Sequence, residues 1–150
     1  MVSRKMKMKK IIRIKPAKKK ACDAFSLYIR TRDALKTTKD VIFGLCVTCG
    51  QRYPVRSRGG LQCGHFIQGR HPSILFDERN AHAQCYGCNV MKKGNMVVYY
   101  EFMLKTYGKK VIDELKLLDK NTMPMKVYMY LEIAETYKQK WLDYLASFSG

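Results

Sequence analysis

Four cysteines stand in two Cys-x-x-Cys pairs, Cys46/Cys49 and Cys85/Cys88, with 35 residues between the pairs. Such a turn presents two thiolates at a separation that suits a tetrahedral metal, and two turns complete a shell of four. Four sulfur ligands leave no open coordination position, so the implied Zn²⁺ is structural and not catalytic. Around the pairs lie His65, Asn80 and Asn89, whose chemistry is of another kind. A histidine near its ordinary pKa can take a proton from water at neutral pH. An amide oxygen can join the oxygen shell of Mg²⁺, which keeps several of its waters. A base, a cation that neutralises developing charge, and a group that holds both in register are what phosphodiester hydrolysis requires. Singly, each residue has an ordinary structural alternative: a hydrogen-bonded histidine at a strand end, a helix cap, a surface amide. Their joint spacing relative to the cysteines sets them apart. Cys63 reads as a small buried apolar residue, and Cys22 has no partner in view.

The elements that position these residues can be read from pattern. Residues 22–36 follow helical spacing, with Phe25, Tyr28 and Ile29 among the apolar positions. A short apolar run, 41–45, leads into the first cysteine pair. Residues 52–67 are predicted to form a hairpin, one strand over 53–56 and the other over 61–67, turning at Ser57-Arg58-Gly59-Gly60. Residues 68–80 read as a loop. A short helix is expected from the second cysteine pair through Lys93, ended by Gly94, then a helix over 96–107 stopped by Gly108. Val111, Ile112, Leu115 and Leu118 mark the next helix. Thr122 suits a cap and Pro124 a first turn for a long final helix carrying Val127, Leu131, Ala134, Trp141, Leu145 and Phe148 on one face. The fold class is therefore α+β: a strand-and-helix core around the metal knot, with an N-terminal helix and a C-terminal helical extension over about 96–148.

The 150 residues fit one domain, 21–150, preceded by a basic arm over 1–20. The arm holds ten Lys/Arg and no acidic residue, a composition expected to stay extended and mobile. The net charge is +17, and the arm supplies +10 of it, leaving +7 on the remainder. Nucleic acid is the natural partner of such a chain. Arg52, Arg56, Arg58 and Arg70 fall in a 26-residue window, 51–76, without an acidic residue, and suit phosphate contacts, as do Lys92 and Lys93. Nothing reads as a secretory signal or a membrane span, and six cysteines in that setting favour metal binding over disulfides. Trp141, Tyr144 and Phe148 could serve a homodimer, with core packing as the plainer reading.

The order Cys-x-x-Cys, Gly64-His65, Asn80-x-x-x-x-Cys85-x-x-Cys88-Asn89, then Lys92-Lys93, resembles the HNH nucleases, whose core is the ββα-metal fold. Asn89 stands where the third histidine of that motif falls. Tyr28-Ile29-Arg30-Thr31-Arg32-Asp33, Gly64-His65-Phe66, the stretch from Leu75 to Cys85, and Lys93-Gly94-Asn95 narrow the likeness to the NinG (Rap) recombination endonucleases of lambdoid phages. The resemblance covers roughly residues 22–115. It implies an endonuclease dependent on Mg²⁺ or Mn²⁺ that acts on branched DNA, Holliday junctions or D-loops, in the cytoplasm of a bacterial host. His65 would be the general base, Asn80 an orienting residue, and Asn89 a ligand of the catalytic ion, with His82, Asp77, His71 or water alone open as the second ligand. One position departs from the pattern. HNH enzymes usually carry an acidic residue or histidine just before the catalytic histidine, and here that residue is Gly64; Gln62 stands where some relatives have an aspartate. A zinc-stabilised DNA- or RNA-binding protein without catalysis, or another HNH enzyme cutting plain duplex, are the alternatives.

Overall fold

The computed structural model describes residues 11–149. Helix α1, Ile14–Thr38, runs for 25 residues. It starts inside the stretch expected to be a mobile arm, and residues 1–10 of that arm lie outside the described residues. The reason is a stripe of small residues. Ala17 and Ala21 are fully buried against Tyr130, and the stripe continues through Phe25, Tyr28, Ile29 and Arg32 at helical spacing. Lys15, Lys19 and Lys20 take the exposed face. Pro16 sits in the first turn, where its missing N–H costs nothing.

Two small sheets lie against α1. Strands β1, Phe43–Leu45, and β2, Arg52–Pro54, pair antiparallel around the first cysteine turn. Strands β3, Gln62–His65, and β4, Ala81–Gln84, pair antiparallel with Gly64 opposite His82 and His65 opposite Ala81. The hairpin expected over 52–67 is therefore not formed. Gly60 N–H does close a turn on Ser57 O, but β2 pairs back to β1 and β3 pairs forward to β4. The stretch 68–80 is also more ordered than a loop. It holds α2, Pro72–Leu75, and a 3₁₀ turn, Glu78–Asn80, leading directly into β4.

A π-helical turn, Gly87–Met91, follows β4. Helix α3, Met96–Tyr107, stops at Gly108, whose φ of 86° closes the helix in a conformation that disfavours side chains. Helix α4, Lys109–Asp119, packs Ile112 and Leu115 against Phe66, Tyr99 and Met103. The last helix, α5, Val127–Ser149, begins after Thr122 and Pro124, which stay outside it. It lies along α1 in the same direction: Tyr130 meets Ala17 and Ala21, Tyr137 meets Phe25 at 4.8 Å between ring centroids, and Tyr144 stacks on Tyr28 at 5.2 Å. Trp141 and Tyr144 join this intrachain packing, while Phe148 is exposed.

A buried ion pair ties α1 to the second sheet. Arg32 Nε donates to Asp33 Oδ1 at 2.8 Å. The remaining nitrogens of Arg32 donate to Glu78 O (2.8 Å) and Ala81 O (2.7 Å), while Asp33 Oδ2 accepts from Ala83 N–H at 2.7 Å. The pair survives burial because its polar atoms find partners. Those partners bracket Asn80, so α1 sets the position of the segment that carries it.

Candidate functional site

The four thiols of Cys46, Cys49, Cys85 and Cys88 lie within 4.8 Å of one another. Sulfurs at the corners of a Zn–S tetrahedron with bonds of about 2.3 Å sit about 3.8 Å apart. The Cys49 and Cys85 sulfurs are 3.8 Å apart, a metal-site spacing and not a disulfide. Burial opposes ionisation of Cys46, but backbone N–H groups of Cys49 and Cys85 and the Thr48 hydroxyl outweigh it, and its pKa is lowered. The donor set thus fits a structural zinc ion. Gln84, fully buried, spans this cluster: its Nε2 donates to Thr48 Oγ1 (3.1 Å) and to Gly94 O (2.9 Å), linking the first cysteine turn to the end of the π turn.

His65 ends β3. Its Nε2 lies 2.9 Å from the carbonyl oxygen of Leu75 in α2, and its ring stacks near Phe25. A carbonyl only accepts, so Nε2 carries the proton and Nδ1 holds the lone pair. Among the described residues Nδ1 has no hydrogen-bond partner, and it is not among the buried polar atoms left unsatisfied. Burial lowers the His65 pKa; the hydrogen bond to the Leu75 carbonyl opposes it in part, and the positive charge of Arg70 adds a smaller push downward. The imidazole is therefore neutral at pH 7.

Asn80 is wholly buried, at 0% exposure. Its Oδ1 accepts from Ile67 N–H at 2.8 Å, and its Nδ2 donates to Ile67 O at 3.0 Å and Ile74 O at 3.3 Å. It fastens the chain leaving β3 to α2, which supplies the carbonyl that holds His65. Its role is positioning. Asn89 stands on the π turn, an element often found where a helix is widened for function. Its Nδ2 donates to Gln62 Oε1 at 2.9 Å. Its Oδ1, the atom a divalent cation would take, makes no protein hydrogen bond among the described residues.

His65 and Asn89 meet in one open cleft of about 410 Å³, with Cys22, Cys63, Gln68 and Arg70 among its walls. Cys22, Cys63, His65 and Leu75 also border a second cleft, of about 400 Å³, that extends past Asp23, Ser26 and Arg30. The two halves form a groove with His65 at its centre. Arg30 is held there by Ser26 and by the carbonyls of Val55 and Leu61. Sequence reading missed Asp23 and Arg30. The signal was present, since Asp23, Ser26 and Arg30 share one face of α1, but nothing local says that this face borders His65.

Other residues singled out from sequence fall elsewhere. His82 is buried beneath α3 and not in the groove. Tyr107 Oη lies 2.8 Å from its Nε2, Tyr99 Oη lies 2.9 Å from its Nδ1, and Tyr99 donates to Gly64 O at 2.7 Å. That chain sets the tautomer: Nδ1–H donates to Tyr99, and Tyr107 donates to Nε2. Both ring nitrogens are thereby occupied. Asp77 caps the 3₁₀ turn and pairs with Arg79 at 2.9 Å, outside the groove lining. Arg52 lies over Phe43 and Arg56 over Trp141; neither they nor Arg58 line the groove, whereas Arg70 does. Lys92 and Lys93 are exposed beside the π turn. Gly64 is explained by its neighbour. A Cβ there would press into the Gln84 side chain, so position 64 faces the buried amide, which a larger residue would have to displace. The Cys63 thiol is pushed up to about 12 by burial and stays protonated.

The buried state of His82 carries a pH prediction. Burial, then the positive charges of Arg32 and Lys36, push its pKa down to about 2 from an ordinary 6.5. A depressed folded-state pKa means that the unfolded chain binds the extra proton first. This contribution to stability is complete above pH 6.5 and is lost progressively as pH falls below it. At about 1.4 kcal/mol per pH unit, some 2 kcal/mol should be gone by pH 5. Urea unfolding at pH 5, 6 and 7 measures the slope, and His82→Gln should flatten it; equal slopes would remove His82 as the cause.

Fold and site together define an α+β protein with a four-cysteine cluster compatible with structural zinc. The chain belongs to the NinG family: the family described as Bacteriophage Lambda NinG protein matches residues 2–144. It is 31% identical to protein ninG of Escherichia phage 933W over 143 residues, 93% of this chain and 64% of that protein. It is 32% identical to protein ninG of Salmonella phage P22 over 116 residues, 75% of this chain and 51% of that protein. Protein ninG of Escherichia phage lambda is 31% identical over 116 residues, 75% of this chain and 50% of that protein. The chain thus spans between half and two thirds of the length of these relatives. No solved structure matches it. Among the described residues, no helix is long and apolar enough to cross a membrane.

Proposed function

We propose that this protein is a metal-dependent endonuclease of the HNH type that cuts branched DNA in the bacterial host of a phage. The observation that carries this reading is the state of His65: Nε2–H tied to the Leu75 carbonyl, Nδ1 uncommitted, at the centre of a groove shared with Asn89. In this reading β3, β4 and the π turn, which carry or adjoin His65, Asn80 and Asn89, would make up the ββα-metal core. His65 Nδ1 takes a proton from water as the water oxygen attacks phosphorus, while the opposite phosphorus–oxygen ester bond breaks and the departing oxygen takes a proton from solvent. Arg30 and Arg70, on the two halves of the groove, hold the phosphate strand across His65. Asn80 keeps α2, and with it the Leu75 carbonyl, in place. Asn89 Oδ1 would hold Mg²⁺ or Mn²⁺, and water would complete its shell, since Asp23, a carboxylate on the other half of the groove, is paired with Lys19 at 2.6 Å. Bound there, the ion would neutralise charge on the phosphate and the departing oxygen.

A second reading has one observation in its favour. Gly64 and Gln62 replace acidic ligands, and Gln62 is already engaged by Asn89, an arrangement that a zinc-stabilised nucleic-acid-binding protein without catalysis would tolerate. One gel separates the two. A four-way junction, a linear duplex and a single strand are each incubated with protein and Mg²⁺, Mn²⁺ or no added ion. Ion-dependent cleavage of the junction is expected. Binding without cleavage under every condition would leave the second reading standing, and cleavage of linear duplex at a fixed sequence would replace branch selectivity with site selectivity.

A further inference from the structure

The π turn carries more than Asn89. Cys88 and Asn89 turn inward, to the metal cluster and to Gln62. Tyr86, Val90 and Met91 turn outward and are 52%, 49% and 73% exposed. Single exposed apolar side chains are ordinary on a protein surface, but three within six residues are a patch. This patch is carried on a rigid element. The turn is clamped by Cys85 and Cys88 at its start, and at its end by Gly94, which donates to Cys88 O at 2.8 Å and accepts from Gln84. Lys92 and Lys93, both exposed, follow it directly.

Its place decides what it can touch. Consecutive Cα atoms are about 3.8 Å apart, so the Met91 backbone lies within about 8 Å of that of Asn89. A strand that leaves the groove past Asn89 and over the outer face of the turn would bring its next one or two nucleotides within reach of Tyr86, Val90 and Met91. Lysines beside the patch suit a phosphate backbone and disfavour a basic partner such as a second copy of this chain. In a continuous duplex the bases are stacked, and separating them carries an energetic cost; at a branch point stacking is already interrupted. Aromatic and apolar side chains accept unstacked bases regardless of sequence, because every base has a π face.

We propose that Tyr86, Val90 and Met91 form an apolar platform for bases left unstacked at a branch point, and that this platform sets the preference for branched over linear DNA. The inference rests on the groove being a DNA-cleaving site, and it separates binding preference from chemistry. Its test is a Tyr86→Ser/Met91→Ser variant of the full chain. Both positions are exposed, so unchanged zinc content and thermal transition verify the fold. Binding is measured without added Mg²⁺ or Mn²⁺ to a four-way junction and to a linear duplex of the same sequence, each with 2-aminopurine beside the branch position. Parent protein is expected to brighten the junction probe on binding. The variant is expected to lose about tenfold or more in junction affinity and to lose that signal, while duplex affinity stays within about twofold. Unchanged junction preference, or an equal fall for junction and duplex, would overturn the platform. So would a change in oligomeric state on sedimentation, which would assign the patch to self-association. A parent that cuts junctions while the variant keeps its preference sinks this inference alone; a parent that binds no DNA sinks the proposed function with it.

Discussion

Replacing Cys85 with serine is expected to abolish the cooperative thermal transition of this protein, the largest single effect in the molecule. Cys46, Cys85 and Cys88 are buried in one cluster with Ala34, Val55, Leu61 and Ala83. The sheets they join are two strands each, too small to persist alone. Zinc binding to four thiolates contributes on the order of 10 kcal/mol to folding, comparable with the whole net stability of an ordinary domain. Removing one ligand weakens the ion's hold on both cysteine turns and on the π turn that presents Asn89. Metal content by mass spectrometry, near-ultraviolet circular dichroism and a thermal scan test this on parent, Cys85→Ser and chelator-treated protein. A parent that carries no zinc, or a metal-free chain melting at the parent temperature, would remove the cluster from the account of stability.

The second large effect concerns chemistry and leaves the fold in place. Under the proposed function, His65→Ala is expected to lower the cleavage rate by about 10²–10⁴-fold, the range ascribed to a positioned general base. Zinc content should be unchanged. The stability cost should be small, about 1 kcal/mol for the Leu75 hydrogen bond plus lost packing on Phe25. Parent activity should follow the neutral imidazole. Because the His65 pKa is lowered by burial and Arg70, activity should stay level from neutral pH down past 6.5 and fall only as pH drops through the depressed value. An alanine variant that cuts at the parent rate would strip His65 of its role, and an acid limb above pH 6.5 would contradict its burial.

What could be read from sequence followed from local rules. The cysteine turns, α3 and its stop at Gly108, and the existence of α5 depend on spacing within one or two turns of chain, whereas the α5 stripe was read only in part: Tyr130, Tyr137 and Tyr144 seat it on α1, and Phe148 is exposed. The hairpin over 52–67 was misread for the same reason. A glycine pair beside alternating residues signals a hairpin, yet β3 finds its partner at 81–84, across the α2 and 3₁₀ segments. The start of α1 was hidden by composition. Ten cations dominate the first twenty residues, while the face that holds the helix in place at Ala17 and Ala21 is made of small side chains with little hydropathy signal. His65, Asn80 and Asn89 stood out through their distances from the cysteines; His65 and Asn89 line one cleft, while Asn80 is wholly buried outside it. Asp23 and Arg30 share a legible face of α1, but their nearness to His65 depends on how α1 lies across the second sheet. The burial of His82 could not be anticipated, since its tyrosine partners are 17 and 25 residues further on.

The parallel seating of α5 on α1 reaches back to how the chain is made. Tyr28 and Tyr144 touch across 116 residues of sequence. At roughly 5–20 residues per second, the ribosome takes on the order of ten seconds to supply the second tyrosine after the first. Through that interval Phe25 and Tyr28 have no cover from α5, and the helix that aligns Asn80 lacks its support. A nascent chain should therefore finish its groove only when α5 emerges, and fragments cut before residue 127 should be sticky, with the aromatic face of α1 uncovered.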